Sequence, residues 1–220
     1  MQVTISYLYK VPKGPVITCF TEEMSIETAL ELEADLQKVG RVREIVFQNS
    51  NGERFLRKEL KAFIETIQTE PHDVHVYFDG GYETEDGRAG LGCAIYYEKS
   101  GEMYRVRKNA LVDELTSSNE AEYAALHLAV QELVMLGIRY QPIRIKGDSR
   151  LVINQMKEEW ACYDPVFLSW ADRIDARLAE SGLEATYIHV PRKENCEADR
   201  LATQALEGIE IESHIMIEQP

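Results

Sequence analysis

Residues 74–81 read V-H-V-Y-F-D-G-G, and this stretch decides how the rest of the chain is read. Val74, Val76 and Phe78 alternate with His75, Tyr77 and Asp79, the two-residue period of a strand with one apolar face. Gly80 and Gly81 end the run, so Asp79 stands at the carboxyl end of a strand, where ligands of α/β sheets gather. Downstream, residues 90–97 and 103–108 form an antiparallel pair across Ser100-Gly101. A long helix spans about 119–136 and is closed by Gly137. A strand at 143–146 runs into Gly147-Asp148-Ser149 and a helix at 150–157. A further helix starts at Pro165 and reaches Ala179, a strand covers 185–190, and Asn195 is placed to cap a last helix ending at Leu206. The order β-β-β-α-β-α-α-β-α over residues 73–207 implies an α/β architecture, a mixed five-stranded sheet covered by helices.

Upstream, residues 1–70 form a small α+β domain of their own. Short strands at 3–10 and 15–20 precede a helix at 25–39 with Ile26, Leu30 and Leu36 near one face. A strand at 43–48 turns at Asn51-Gly52 into an amphipathic helix at 57–68 through Leu60, Phe63, Ile64 and Ile67. Thr69-Glu70-Pro71-His72 reads as the linker. A tail, 208–220, carries Ile209, Ile211, Ile215 and Ile217 in an alternation that suggests an edge strand or a docked segment.

The 220 residues hold 24 Lys+Arg against 38 Asp+Glu, a net charge of −14, which argues against non-specific coating of nucleic acid. No apolar run reaches the about 18 residues of a membrane span, and no secretory leader pattern is present, so no membrane association is expected. The four cysteines lie far apart, which disfavours a zinc site or a disulfide scaffold and suits the reducing cytoplasm.

Four acids stand in unusual places. Asp79 and Asp148 end strands. Glu122 shares a stripe with Leu126, Ala129, Leu133 and Leu136, the inward face of its helix, whereas Glu120 falls with Ala124, His127 and Gln131 on a more polar face. Asp199 shares a face with Ala202 and Leu206. Each placement alone has a plain structural explanation, a turn former or a dipole partner. Together, inward carboxylates repel and raise one another's pKa unless a cation sits among them, and oxygen-only ligands select Mg²⁺ or Mn²⁺.

Four segments resemble the type 1 ribonucleases H. They are V-H-V-Y-F-D79-G-G, S-S-N-E-A-E122-Y-A-A-L, G-D148-S-R-L-V and H-V-P-R-K-E-N-C-E-A-D199-R-L-A, in that family's order and on its expected elements. The resemblance covers about residues 73–206. It implies that Asp79, Glu122, Asp148 and Asp199 bind metal, Mg²⁺ with Mn²⁺ as a substitute, two ions per site. It further implies endonucleolytic hydrolysis of the RNA strand of RNA–DNA hybrids, leaving a 5′-phosphate. By the same register Gly80, Gly81 and Asn119 lie near the hybrid's minor groove, Ser117 takes the place of a phosphate-holding threonine, and Ser149 flanks the second aspartate as a substrate-side residue. Arg192, in preference to His189, is the basic residue ahead of Asp199.

The chain departs from the family in two places. Where many members insert a basic helix and loop, it has K-E-E-W-A-C-Y-D-P, with more acid than base. Residues 1–70 do not resemble the family's hybrid-binding module and are read as a docking unit for a protein partner. The competing function is therefore a catalytically weak or silent ribonuclease H-like protein that binds nucleic acid or a partner. A nuclease of the same superfamily acting on DNA junctions is a more distant alternative.

Overall fold

The computed structural model describes residues 2–218, apart from the side chains of residues 66–68. The chain divides into two compact units, 1–69 and 70–220. In the first, β1 (Gln2–Lys10) lies between β2 (Val16–Phe20) and β4 (Val42–Asn49), antiparallel to both. Two-residue strands β3 (Met24–Ser25) and β5 (Arg54–Phe55) extend the sheet at its margins, beside β1 and β4. Helices α1 (Ile26–Lys38) and α2 (Arg57–Thr69) close one face over Val3, Ile5, Ile26, Ala29, Phe47 and Leu60. Ser25 caps α1 by accepting the Thr28 amide. Leu60 of α2 is fully buried, whereas Phe63 stays 39% exposed; Ile67, expected on the same apolar face, lies outside the described side chains.

The second unit is built on a sheet ordered β10-β9-β6-β7-β8-β11. It runs β6 (His72–Glu83), β7 (Arg88–Lys99), β8 (Glu102–Val112), α3 (Ser118–Met135), β9 (Pro142–Gly147), α4 (Arg150–Met156), α5 (Pro165–Glu180), β10 (Glu184–His189), a 3₁₀ turn at Arg192–Glu194, α6 (Cys196–Leu206) and β11 (Glu212–Ile217). Strands β9 and β10 run parallel to β6, and the others pair antiparallel. The five expected strands and their mixed order are present. The sheet has a sixth, because the tail is not a separate segment: β11 adds to the edge of β8. Buried Asn109 explains why, since its Nδ2 donates to the carbonyls of Leu201 and Ile209 at 3.0 and 2.8 Å, and its Oδ1 accepts the Ile211 amide at 2.6 Å. His214 then packs against Tyr97 and Tyr104.

The alternation of β6 and β7 sorts their side chains between two helices. Val74, Val76 and Phe78, with Leu91, Cys93 and Ile95, join Ala121, Ala125, Leu126 and Leu133 of α3 in the main core. On the other face Gly90 and Gly92 let α6 lie directly on the sheet; a Cβ at either would overlap the carbonyls of Ala202 and Ala198. Gly80 does the same for α3, since its Cβ would stand no more than 2.5 Å from the backbone of Ala121 and Glu122. These close approaches place the first turns of α3 and α6 beside the ends of β6 and β9. Among the described residues no helix is long and apolar enough to cross a membrane.

Gly80→Ala is therefore expected to cost about 1–3 kcal/mol, the usual penalty of overpacking a fixed backbone contact. Urea unfolding checks this, as a lower midpoint at unchanged slope.

Candidate active site

Strand β6 delivers Asp79 to its carboxyl-terminal half, where the side chain is only 8% exposed. Asp148 follows β9 directly, and α3 brings Glu122 against the Gly80 amide, which donates to its carboxylate. One carboxylate oxygen from each of Asp79, Glu122 and Asp148 lies within 4.8 Å of the others. Asp199, in the first turn of α6, stands near enough to Asp79 to raise its pKa, but its Oδ1 is occupied by Arg192 Nη2. The structure thus gathers three of the four expected acids into one group and holds the fourth alongside through an arginine.

The electrostatics of the group are unfavourable as it stands. Burial pushes Asp79 up to about 7, and repulsion from Asp148 and then Asp199 adds to it. Burial likewise pushes Glu122 up to about 9, with Asp79 and Asp148 contributing. Glu122 Oε2 is buried with no hydrogen-bond partner among the described residues. A set of hard oxygen donors, one of them orphaned and two whose burial resists ionisation, fits a divalent cation of the Mg²⁺ or Mn²⁺ type.

The remaining expected residues surround this group. Ser117 and Ser149 are the N-caps of α3 and α4, their Oγ accepting the amides of Glu120 and Val152 at 3.2 and 3.4 Å, which leaves each hydroxyl proton free to donate outward. Asn119 sits half-buried in the first turn of α3. Gly80 packs tightly on α3, and a Cβ at Gly81 would stand 3.0 Å from the Leu206 side chain, which gives both glycines a structural reason independent of substrate. Arg192 is 78% exposed at its side chain, whereas His189 Nε2 lies 3.2 Å from the Asp148 carbonyl oxygen.

Two residues take parts that their positions in the sequence did not suggest. Asn195 occupies the N-cap position of α6, but its side chain makes no cap bond. It is 1% exposed, and its Nδ2 donates to the Phe78 carbonyl at 2.9 Å, to Asp148 Oδ1 at 3.0 Å and to Asp79 Oδ1 at 3.4 Å. A single amide therefore ties the carboxyl-terminal half of β6 and the end of β9 to the start of α6. Glu120, assigned to the polar face, is 7% exposed instead, because the Thr116 amide and hydroxyl and the Trp170 indole all donate to it. It fixes the entry of α3, on which Glu122 depends.

Strand ends supporting a carboxylate group, in a mixed sheet packed between α3 and α6, define the class of ribonuclease H-like proteins. Comparison with known proteins agrees. Residues 77–205 match the family model described as Reverse transcriptase-like. The uncharacterized protein YpeP of Bacillus subtilis is 39% identical over 204 residues, covering 92% of this chain and 90% of its own. Ribonuclease HI of Halobacterium salinarum is 34% identical over 135 residues, 61% of this chain and 64% of that one. The crystal structure of LC11-RNase H1 in complex with RNA/DNA hybrid superposes with a TM-score of 0.56 at 28% identity, covering 62% of this chain and 98% of that chain. The chain belongs to the type 1 ribonuclease H family.

Two outcomes are expected. Without metal, Asp79 and Glu122 keep protons in the folded state that the unfolded chain loses near its ordinary carboxylate value of about 4. Their contribution is fully present below that value and is lost as pH rises through about 7 and then about 9. The melting temperature in EDTA should fall across this window, and Asp79→Asn should flatten its lower part. Asn195→Ala should destabilise by about 1–3 kcal/mol, since it orphans the Phe78 carbonyl, and should weaken Mn²⁺ binding about 10–100-fold, as loss of a ligand-orienting residue does. Denaturant titration and calorimetry measure the two effects.

Proposed function

We propose that the protein is a divalent-cation-dependent endoribonuclease acting in the cytoplasm on the RNA strand of RNA–DNA hybrids, leaving 5′-phosphate and 3′-hydroxyl ends. The observation that carries this reading is the convergence of Asp79, Glu122 and Asp148 within 4.8 Å, beside Asp199, in a chain of this family. Two divalent cations held by these four carboxylates would activate the attacking water and stabilise the leaving oxygen.

The chain's own residues do the positioning. Asn195 keeps the carboxylates of Asp79 and Asp148 in reach of each other, through bonds that do not depend on a cation. Arg192, exposed and paired with Asp199, would meet a phosphate oxygen once that carboxylate is otherwise engaged. Ser117 and Ser149 direct hydroxyl protons outward from two helix starts, and helix N-termini favour phosphate. Gly80, Gly81 and Asn119 line the approach on which the minor groove of a hybrid is read. The stretch with Lys157, Glu158 and Glu159 supplies no basic grip, which favours weak substrate binding and keeps a catalytically silent binding protein as the second reading.

Asp148→Asn tests the assignment. It relieves repulsion and leaves Asn195 a partner, so the fold should persist. Cleavage of labelled hybrid in Mg²⁺ or Mn²⁺ should fall by more than the roughly 10–100-fold typical of losing a residue that only orients a ligand. Hybrid cleavage at the parental rate would remove Asp148 from the site, and no cleavage by the parent protein would favour the silent reading.

A further inference from the structure

The first unit has a sheet face that its helices leave uncovered. In β1 the odd-numbered Val3 and Ile5 are buried beneath α1 and α2, so Thr4, Ser6, Leu8 and Lys10 point the other way. The strand register carries this face sideways. Phe20 and Val46 stand opposite Ser6, Thr18 and Arg43 opposite Leu8, Val16 opposite Lys10, Gln48 opposite Thr4, and Arg54 opposite Gln48. Glu44 and Ile45 share the bulge opposite Tyr7, where Ile45 packs on the helix-covered core and Glu44 is exposed outside the paired positions.

The charge on this face is segregated. Residues 1–70 contain 9 basic and 11 acidic side chains. Lys10, Arg43 and Arg54 occupy register positions on the open face, and no acid does among the described residues. The acids Glu27, Glu31, Glu33 and Asp35 ride on α1, and Glu59 and Glu65 on α2. Neither Arg43 nor Arg54 forms an ion pair among the described residues, whereas Arg57 on α2 pairs with Glu33 at 3.1 Å. Amid these cations, hydroxyls and an amide, Phe20 is 76% exposed. In a chain of charge −14, a sheet face whose paired positions carry cations and no acids, around an aromatic ring open to solvent, is complementary to a polyanion with accessible bases, with Glu22, Glu23, Glu44 and Glu53 kept to its margins and bulge.

We propose that the open face of the β2-β1-β4-β5 sheet binds single-stranded nucleic acid. Phe20 stacks on a base, Arg43, Arg54 and Lys10 take phosphates, and Ser6, Thr18 and Gln48 meet base edges or sugars. Unpaired bases, unlike those stacked inside a duplex, are free to stack on an exposed sheet aromatic. Four strands about 4.8 Å apart span about 15 Å, room for two or three nucleotides. The proposal goes beyond the nuclease reading and does not require it, since none of these residues belongs to the carboxylate group.

The test is fluorescence anisotropy of labelled oligouridylate and oligothymidylate with the full chain in EDTA. The parent protein should bind at about 50 mM salt. Phe20→Ala should weaken binding about tenfold and Phe20→Trp should retain it. Arg43→Glu with Arg54→Glu should lower the slope of log K against log salt by about 1.4. All these side chains are exposed, so thermal unfolding should not move. A parent that binds neither oligomer, variants that bind as tightly as the parent, or a dimer that Phe20→Ala dissolves would each overturn the proposal, the last by putting a second copy on the face. Cleavage of a short blunt hybrid separates the two readings. It should proceed at the parental rate in every variant, and a loss there would overturn the independence of the platform.

Discussion

Carboxylates brought together against their own repulsion are the constraint on which the second unit depends. Burial and mutual charge raise Asp79 to about 7 and Glu122 to about 9, so the group strains against ionisation wherever no cation is present. The fold opposes this with contacts made around the group. Asn195 bonds both Asp79 and Asp148, Arg192 engages Asp199, and the Gly80 amide donates to Glu122. An arrangement that spends stability on such a cluster is the usual mark of a site rather than of a core.

The backbone geometry follows from the same requirement. Glu122 reaches the end of β6 only because residue 80 has no side chain, and Asp199 lies alongside only because Gly90 and Gly92 let α6 rest on the sheet. Glu120 and Ser117 fix the entry of α3, and Asn109 secures both α6 and the sixth strand through the carbonyls of Leu201 and Ile209. Glu197 ties α6 to the sheet, where Arg105 of β8 approaches it at 3.3 Å and Tyr96 of β7 donates to it. Three elements distant in sequence thus meet at one point with little freedom.

Much of this was legible from residue order. A glutamate on the apolar stripe of a helix and an acid at a strand-to-helix turn are local patterns that the structure keeps on their expected elements, whereas the strand expected to end at Gly80-Gly81 runs on to Glu83, because both glycines stay paired with β7. Asn195 was not legible, because an asparagine at a helix start has the same local signature whether it caps its own helix or reaches another strand. Glu120 misled for a related reason: helical periodicity counts positions, and only the tertiary placement of Thr116 and Trp170 makes a buried acid acceptable there. The alternation of the tail suggests an edge strand or a docked segment, but not its place beside β8, which depends on Asn109, about a hundred residues away. The open face of the first unit became visible only with the register, since Arg43, Arg54 and Phe20 belong to three strands.

The most direct test of the central claim, that the carboxylate group is a divalent-cation site, is isothermal titration of Mn²⁺ into the full chain at neutral pH in buffers of different ionisation enthalpy. Protons held by Asp79 and Glu122 must leave as the ion enters, so binding should release roughly one to two protons, with a smaller release at pH values above about 9. Absence of binding, or binding with no proton release at neutral pH, would contradict the account.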